Sequence, residues 1–363
     1  MMCKTCKTKK DNLLKAVKMV ARFIKPSTLS ILQCVRIEAI NDTLILTATS
    51  NQAVAKTKID ANTKEASSCA VNSKKLIEVL SRMSSEYIEL LFNEDDIIIK
   101  GGKAKVKIPC LDMEAWTKLP IVTDPDFEMS FSADYVKQMI DEAAHSLDTS
   151  ETNVMMSSFC FEVSDNENIK VVALDGHRVS FRGETKGASK RFVLNGQITK
   201  ESFQILAGET TMRSEGSLVS FEDNDTRIDL KTTPGNYYEY NQLVRATTKA
   251  NDAFRLDADK RELIEALNLA SIVNSKVSLL VAPDSIEVSS MSHFGEDTVT
   301  EVAVVSSREF EPFRIGFTAS FLLDTLKSVA DDVVVLQLSS PSSPLVIEGD
   351  NFMELVLPCF VKN

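Results

Sequence analysis

The sequence predicts an α+β protein built from three like-folded segments in tandem. Its 363 residues exceed what one hydrophobic core normally organises, at about 150 residues per domain. Amphipathic helical patterns recur with starts 121 and 125 residues apart, at positions 11, 132 and 257. Around them, apolar and polar residues alternate with the period of two that half-buried strands require.

The first helix family covers residues 11–24, 132–147 and 257–273. Its apolar rows are Leu14, Val17, Ala21 and Ile24; then Val136, Met139, Ile140 and Ala143; then Leu263, Ile264, Leu267 and Ala270. Ser132 and Asp257 stand where a cap would satisfy free amides. A second family covers 72–83, 199–208 and 318–329, with Asn72, Thr199 and Thr318 as caps. Between the two helices of each segment lies a hairpin pattern, beginning at Cys34, Phe159 and Ser278. Further strands follow each second helix, at 87–92 and 96–100, 218–221 and 225–230, and 333–338 and 344–347. Polar, turn-forming stretches at 120–125 and 247–252 set the domains at 1–124, 125–248 and 249–363.

Hydrophobic residues at 44% and charged residues at 26% exclude wholesale disorder. Apolar runs are strand-sized, far short of the roughly 18 residues of a membrane helix. The basic N-terminus lacks a signal-peptide apolar core, so a cytoplasmic protein is expected. Seven scattered cysteines argue against a disulfide framework, and Cys3-x-x-Cys6 is half a zinc ribbon without its second pair. No metal and no cofactor are expected. Phosphate-loop, dinucleotide and HExxH patterns are absent. The only cluster with acid–base flavour is Asp175-Gly176-His177-Arg178, where Gly176 reads more simply as a position needing positive φ. The sequence does not read as an enzyme.

Charge is unevenly placed. The net charge is −11, yet residues 1–25 sum to +7 and the remainder to −18. Lys15, Lys18, Arg22 and Lys25 recur at intervals of three and four, so they line one helix face. Lys10 precedes them, and Lys74, Lys75 and Arg82 add cations from a second-family helix. Such a surface suits a phosphate backbone without reading base sequence; the competing reading is a solvated face. The pattern at 103–108 puts Lys103, Lys105 and Lys107 on one face and Ala104, Val106 and Ile108 on the other. Glu296, Asp297 and Glu301 occupy a related place in the third segment. A basic and an acidic edge suit head-to-tail association, although edge lysines can also merely block aggregation.

At this point the chain resembles the bacterial sliding clamp family, the beta subunits of DNA polymerase III. The family's T-D-G-H-R-L motif is matched by 174–179 (LDGHRV), its V-V-M-P-M-R-L-like tail by 355–361 (LVLPCFV). L-P-I-L is matched by 29–32 (LSIL) and I-G-F-N-x-x-Y by 315–321 (IGFTASF). The resemblance implies three repeated DNA-clamp domains, with helices inside and antiparallel sheets outside. Two chains would close a head-to-tail homodimeric ring around double-stranded DNA, and the contacts would include Lys103, Lys105, Val106, Ile108, Ile272, Glu296, Asp297 and Glu301. It also implies a hydrophobic cleft that takes short peptide motifs from the replicative polymerase, the clamp loader and repair proteins. By position its wall would be Met156, Leu174, Gly176, His177, Arg178, Val179, Leu243, Phe321, Leu355, Leu357, Pro358 and Phe360. Departures are a 237–240 quartet YYEY for the family's F-P-D-Y, Gln242 for an arginine, Cys359 and Phe360 in the tail, an added Lys362-Asn363, and a first strand reading KTCKTKK. The alternative class is a three-domain β-rich scaffold that binds proteins but not DNA.

Overall fold

The computed structural model describes residues 4–361, apart from 113–115, 117–118, 151, 166–167, 186, 243 and 245–252. Cys3, Leu243, Lys362, Asn363 and the expected boundary at 248/249 lie outside the described residues.

One order of elements occurs three times: a strand, a helix, four strands, a second helix and three strands. In the first repeat these are Lys4–Lys9, α1 (Lys10–Ala21), Cys34–Ile40, Thr43–Thr49, Ala53–Asp60, Ser67–Asn72, α2 (Ser73–Arg82), Tyr87–Phe92, Asp96–Gly101 and Ala104–Pro109, with a two-residue strand Asn62–Thr63 added. The second has Phe127–Ser132, α3 (Ala133–Ala143), Ser158–Val163, Ile169–Leu174, Arg178–Gly183, Lys190–Asn195, α4 (Gly196–Phe203), Glu209–Glu215, Leu218–Glu222 and Thr226–Lys231. The third has Phe254–Asp259, α5 (Lys260–Val273), Lys276–Val281, Ser285–Met291, Asp297–Ser306, Phe313–Thr318, α6 (Ala319–Ser328), Val333–Leu338, Leu345–Gly349 and Phe352–Val356.

The three expected hairpins form, all antiparallel. In the first, Asn41 and Asp42 both take positive φ (47° and 56°), the two-residue turn whose twist matches its strands and which Asn and Asp tolerate best.

Helix limits shift from the expected ones for identifiable reasons. Asn72 caps α2 by accepting from the Lys75 amide at 3.0 Å, as its side chain suggests. Asp257 does not cap the third repeat's first helix; it lies within the strand, and Asp259 accepts from the Glu262 amide at 3.0 Å instead. Thr199 is no cap either, because α4 starts at Gly196 and buries Thr199 completely. Thr318 immediately precedes α6 but makes no capping bond. In α1 the buried row is Leu13, Ala16, Val17 and Val20 rather than one through Leu14 and Ala21. Leu13 and Leu14 both fit a three-four spacing; the row containing Ala16, Val17 and Val20 is the wider apolar stripe, and it wins the core. In α3, Val136, Met139, Ile140 and Ala143 are all buried as expected.

The chain groups into two compact units, Met1–Lys137 with Gln197–Thr232, and Gln138–Gly196 with Thr233–Asn363. The first contains a five-stranded and an eight-stranded sheet, the latter joining first-repeat strand Ala53–Asp60 to second-repeat strand Thr226–Lys231. The second contains a twelve-stranded sheet in which Arg178–Gly183 pairs with Phe352–Val356 of the third repeat. Each unit therefore spans a junction between consecutive repeats.

Candidate functional site

In the second unit the junction strands build an apolar cleft. Leu174 pairs with Val179 across one ladder, and Val179 pairs with Leu355 across the next, so three apolar side chains stand abreast on one face. The turn between the first two is set by Asp175, whose Oδ1 accepts from the amides of His177 (2.9 Å) and Arg178 (2.8 Å). Gly176 has φ +86°, as expected, and a Cβ there would lie 3.4 Å from the Met156 methyl. Leu357 is held alongside by its amide, which donates to the His177 carbonyl at 2.8 Å.

The cleft encloses about 260 Å³, bounded by Met156, Leu174, Gly176, His177, Arg178, Val179, Tyr238, Glu239, Tyr240, Leu355 and Leu357. Arg178 is 7% exposed, with its guanidinium 4.3 Å above the Phe321 ring and in ion pairs with Asp175 (2.9 Å) and Asp324 (3.0 Å). His177 stacks on the same ring, at 5.5 Å between centroids. Phe321 thus supports two polar wall residues from behind. Asp175 is engaged by two amides and a guanidinium, which leaves no acid–base pair with His177.

Three expected wall residues do not border the cavity: Phe321, which packs against His177 and Arg178, and Pro358 and Phe360. The tail turns away after Leu357, and Cys359 bonds through its amide to the Gly316 carbonyl at 2.8 Å. Pro358 does not line the cavity, and Phe360 is 82% exposed, its carbonyl accepting from Lys276 Nζ at 3.3 Å. The quartet 237–240 supplies wall that sequence reasoning did not assign: Tyr238 is exposed and accepts from Asn153 Nδ2 at 2.8 Å, Glu239 pairs with Arg191 at 3.3 Å, and Tyr240 is buried. Burial pushes the Tyr237 and Tyr240 hydroxyls far above their ordinary range. Four consecutive residues with three tyrosines were the available signal.

In the first unit the basic face is real but partly neutralised. Lys15 and Lys18 on α1 and Arg22 just after it are exposed and border a groove of about 640 Å³ closed by residues 204–207. Arg22 pairs with Glu201 at 3.1 Å, and Lys25 is half-buried. Lys10 turns inward: its ammonium donates to the Met83 carbonyl at 3.2 Å and meets Asp11 at the same distance. On α2, Glu78 lies between Lys75 and Arg82, 3.1 Å from each, and these cations, the hydrogen bond from Lys75 foremost, hold its carboxyl below the usual range. Lys74 is exposed. Glu78 sits three residues after Lys75 and four before Arg82, so the sequence already carried this neutralisation.

Among the described residues, open strand edges occur at the two places where association is expected. Ala104–Pro109 ends the five-stranded sheet, with Lys103 and Lys105 exposed and in no ion pair among the described residues, Val106 half-buried and Ile108 buried. Lys107 instead pairs with Asp96 at 2.7 Å. In the second unit, Asp297–Ser306 pairs along one side with Ser285–Met291, while its other side is bonded only from Val304 to Ser306. The open stretch carries exposed Asp297, Val299 and Glu301, and Ile272 on α5 is 81% exposed. Glu296 accepts a hydrogen bond from Ser292 in the preceding turn. No group of three or more His, Cys, Asp or Glu suited to a metal occurs among the described residues.

Comparison with known proteins matches two family models: the DNA polymerase III beta subunit N-terminal domain over residues 5–120 and the C-terminal domain of the same subunit over 250–358. Together they span more than half of the chain. The beta sliding clamp of Helicobacter pylori is 22% identical, covering 93% of this chain and 92% of that protein. That of Staphylococcus aureus is also 22% identical, covering 96% and 97%. Among solved structures, the DNA polymerase sliding clamp of Bacillus subtilis superimposes with a TM-score of 0.89 at 20% identity, covering 99% of this chain and all of the other. With both terminal domain models matched and the fold shared end to end, the chain belongs to the bacterial DNA polymerase III beta subunit family, the beta sliding clamps.

Proposed function

We infer that this chain is a replicative processivity clamp, a non-catalytic tether that encircles duplex DNA and holds the polymerase through the 174–179 cleft. The observation that carries this reading is the presence, in one chain, of a free lysine-bearing sheet edge at 103–108 and a free acidic edge at 297–301. A second copy can pair with both, so association closes head to tail instead of stopping at one contact. Topological enclosure then removes the need for high affinity, and α1 need only be locally basic in a protein of net charge −11.

The threefold order of elements supports domains at 1–124, 125–248 and 249–363. The cleft, with apolar anchors abreast and Arg178, His177 and Glu239 at its rim, suits a short peptide that offers aliphatic or aromatic side chains. The polymerase, the clamp loader and repair proteins are its proposed visitors, in the cytoplasm. Retention of full-length protein on nicked circular DNA tests the reading. Loading followed by escape on linearisation is expected. Equal retention on circular and linear DNA indicates plain electrostatic binding, and no retention on either leaves only a protein scaffold.

A further inference from the structure

The first unit contains a close pair of thiols that none of the surfaces above employs. Ser67–Asn72 is the edge strand of the eight-stranded sheet, and Ala104–Pro109 is an edge of the five-stranded one. Just beyond the latter, the two edges touch through one antiparallel bridge between Ala70 and Leu111, with the Leu111 amide donating to the Ala70 carbonyl at 2.9 Å. Cys69 and Cys110 each stand one residue before a bridged position. Flanking residues project from the face opposite the bridged pair, so both thiols emerge on the same side as diagonal neighbours. Cys69 is 3% exposed, whereas Cys110 is half-exposed.

We propose that Cys69 and Cys110 are a redox-active dithiol that closes reversibly to a disulfide when the protein meets a hydroperoxide. Their environments divide the labour. The hydrogen bond from Cys69 holds the Cys110 thiol below its ordinary range, against the opposing effects of burial, Asp96 and Asp95, while that bond and burial hold Cys69 protonated. Cys110 is therefore the attacking sulfur and Cys69 the resolving one. The Cys110 thiolate attacks one peroxide oxygen and the O–O bond breaks, leaving a sulfenic acid and, after protonation, water or an alcohol. The Cys69 sulfur then attacks the Cys110 sulfur, the S–O bond breaks, and the hydroxyl departs as water with the Cys69 proton. In sum the two thiols give two electrons and two protons to the peroxide, and a thiol reductant reverses the bond. The product staples the two sheet edges together.

The test uses the full-length protein with hydrogen peroxide, alkylation by N-ethylmaleimide and peptide mapping without reduction. The expected product is a Cys69–Cys110 cross-linked peptide, an intact mass lower by two hydrogens and reversal by dithiothreitol. It should form about tenfold faster than oxidation of Cys359, the other partly exposed thiol among the described residues. Cys69→Ser should give no cross-link and a Cys110 sulfenic acid that dimedone traps, and Cys110→Ser should leave Cys69 unoxidised. Cross-links dominated by other cysteines, oxidation of Cys110 no faster than of Cys359, or unchanged Cys69 oxidation in Cys110→Ser would each overturn the assignment.

Discussion

Glu354→Ala should cost the second unit about 3–5 kcal/mol, because Glu354 is the hub of a buried charge network beneath the cleft. Its side chain is 1% exposed and lies on the opposite face of the strand from Leu355. It accepts from Arg182 Nη2 at 2.6 Å, Ser180 Oγ at 2.8 Å and Ser328 Oγ at 3.1 Å, with His145 Nε2 at 3.2 Å. Arg182 is itself nearly enclosed and keeps only Glu142 at 2.8 Å as a second carboxylate. Truncation takes from the guanidinium one of its two carboxylates and from Ser180 its acceptor in a low-dielectric site, while Ser328 keeps the Thr325 carbonyl at 2.8 Å, which places the loss in the range for broken buried pairs. With a urea dependence of about 3 kcal/mol per molar for a unit of this size, the midpoint falls by roughly 1 to 1.7 M. The assay is urea unfolding followed by circular dichroism, with Glu354→Gln as a control that retains volume and one acceptor and should lose about half as much. A shift below about 0.3 M in Glu354→Ala would show that the network is solvated or dispensable, and the reasoning fails.

Further outcomes follow from the same contacts. Leu357→Asp places a carboxylate in the apolar wall and should weaken a clamp-binding peptide at least about tenfold, or about 1.4 kcal/mol, by fluorescence anisotropy; an unchanged Kd removes Leu357 from the site. Charge reversal at Lys103 and Lys105 together should lower the sedimentation mass at low protein concentration, since those side chains would then repel the 297–301 edge; an unaltered mass excludes that edge. Asp96 is held below the ordinary carboxylate range, first by the hydrogen bond from Lys107 and then by Asn93. Its contribution to stability is therefore present above the unfolded carboxylate value and is lost as pH falls through the lower, folded one. Lys107→Ala should raise the Asp96 pKa toward the ordinary carboxylate range in an NMR titration, and an unmoved pKa rejects the pair as its cause.

What the sequence discloses here is set by how far apart in the chain the decisive partners lie. Hairpins such as Asn41-Asp42 are local, and the residue types alone specify their turn. Cap identity was less secure, because Asp257 and Asp259 offer the same chemistry two residues apart, and the ladders decide between them: Asp257 is paired on both sides, with Val335 and Val305, whereas Asp259 ends the strand. Within the cleft, the 174–179 segment was legible as a motif, but Tyr238 and Glu239 became wall only through non-local contacts with Asn153 and Arg191. Phe360 was misplaced for a related reason: Gly316 and Lys276, both distant in sequence, draw the tail off the cleft. The inward turn of Lys10 likewise depends on the Met83 carbonyl, which no helical periodicity reveals.

The ladders that join Ala53–Asp60 to Thr226–Lys231, and Arg178–Gly183 to Phe352–Val356, have a practical consequence for dissecting this molecule. A recombinant fragment cut at 124/125 would leave both severed pieces with a naked row of amides and carbonyls where a neighbour had been. Such fragments should be sticky and poorly behaved even though every helix named above stays whole. Single repeats are therefore unsuitable for mapping partners, and point substitutions in the intact chain are the sounder tool.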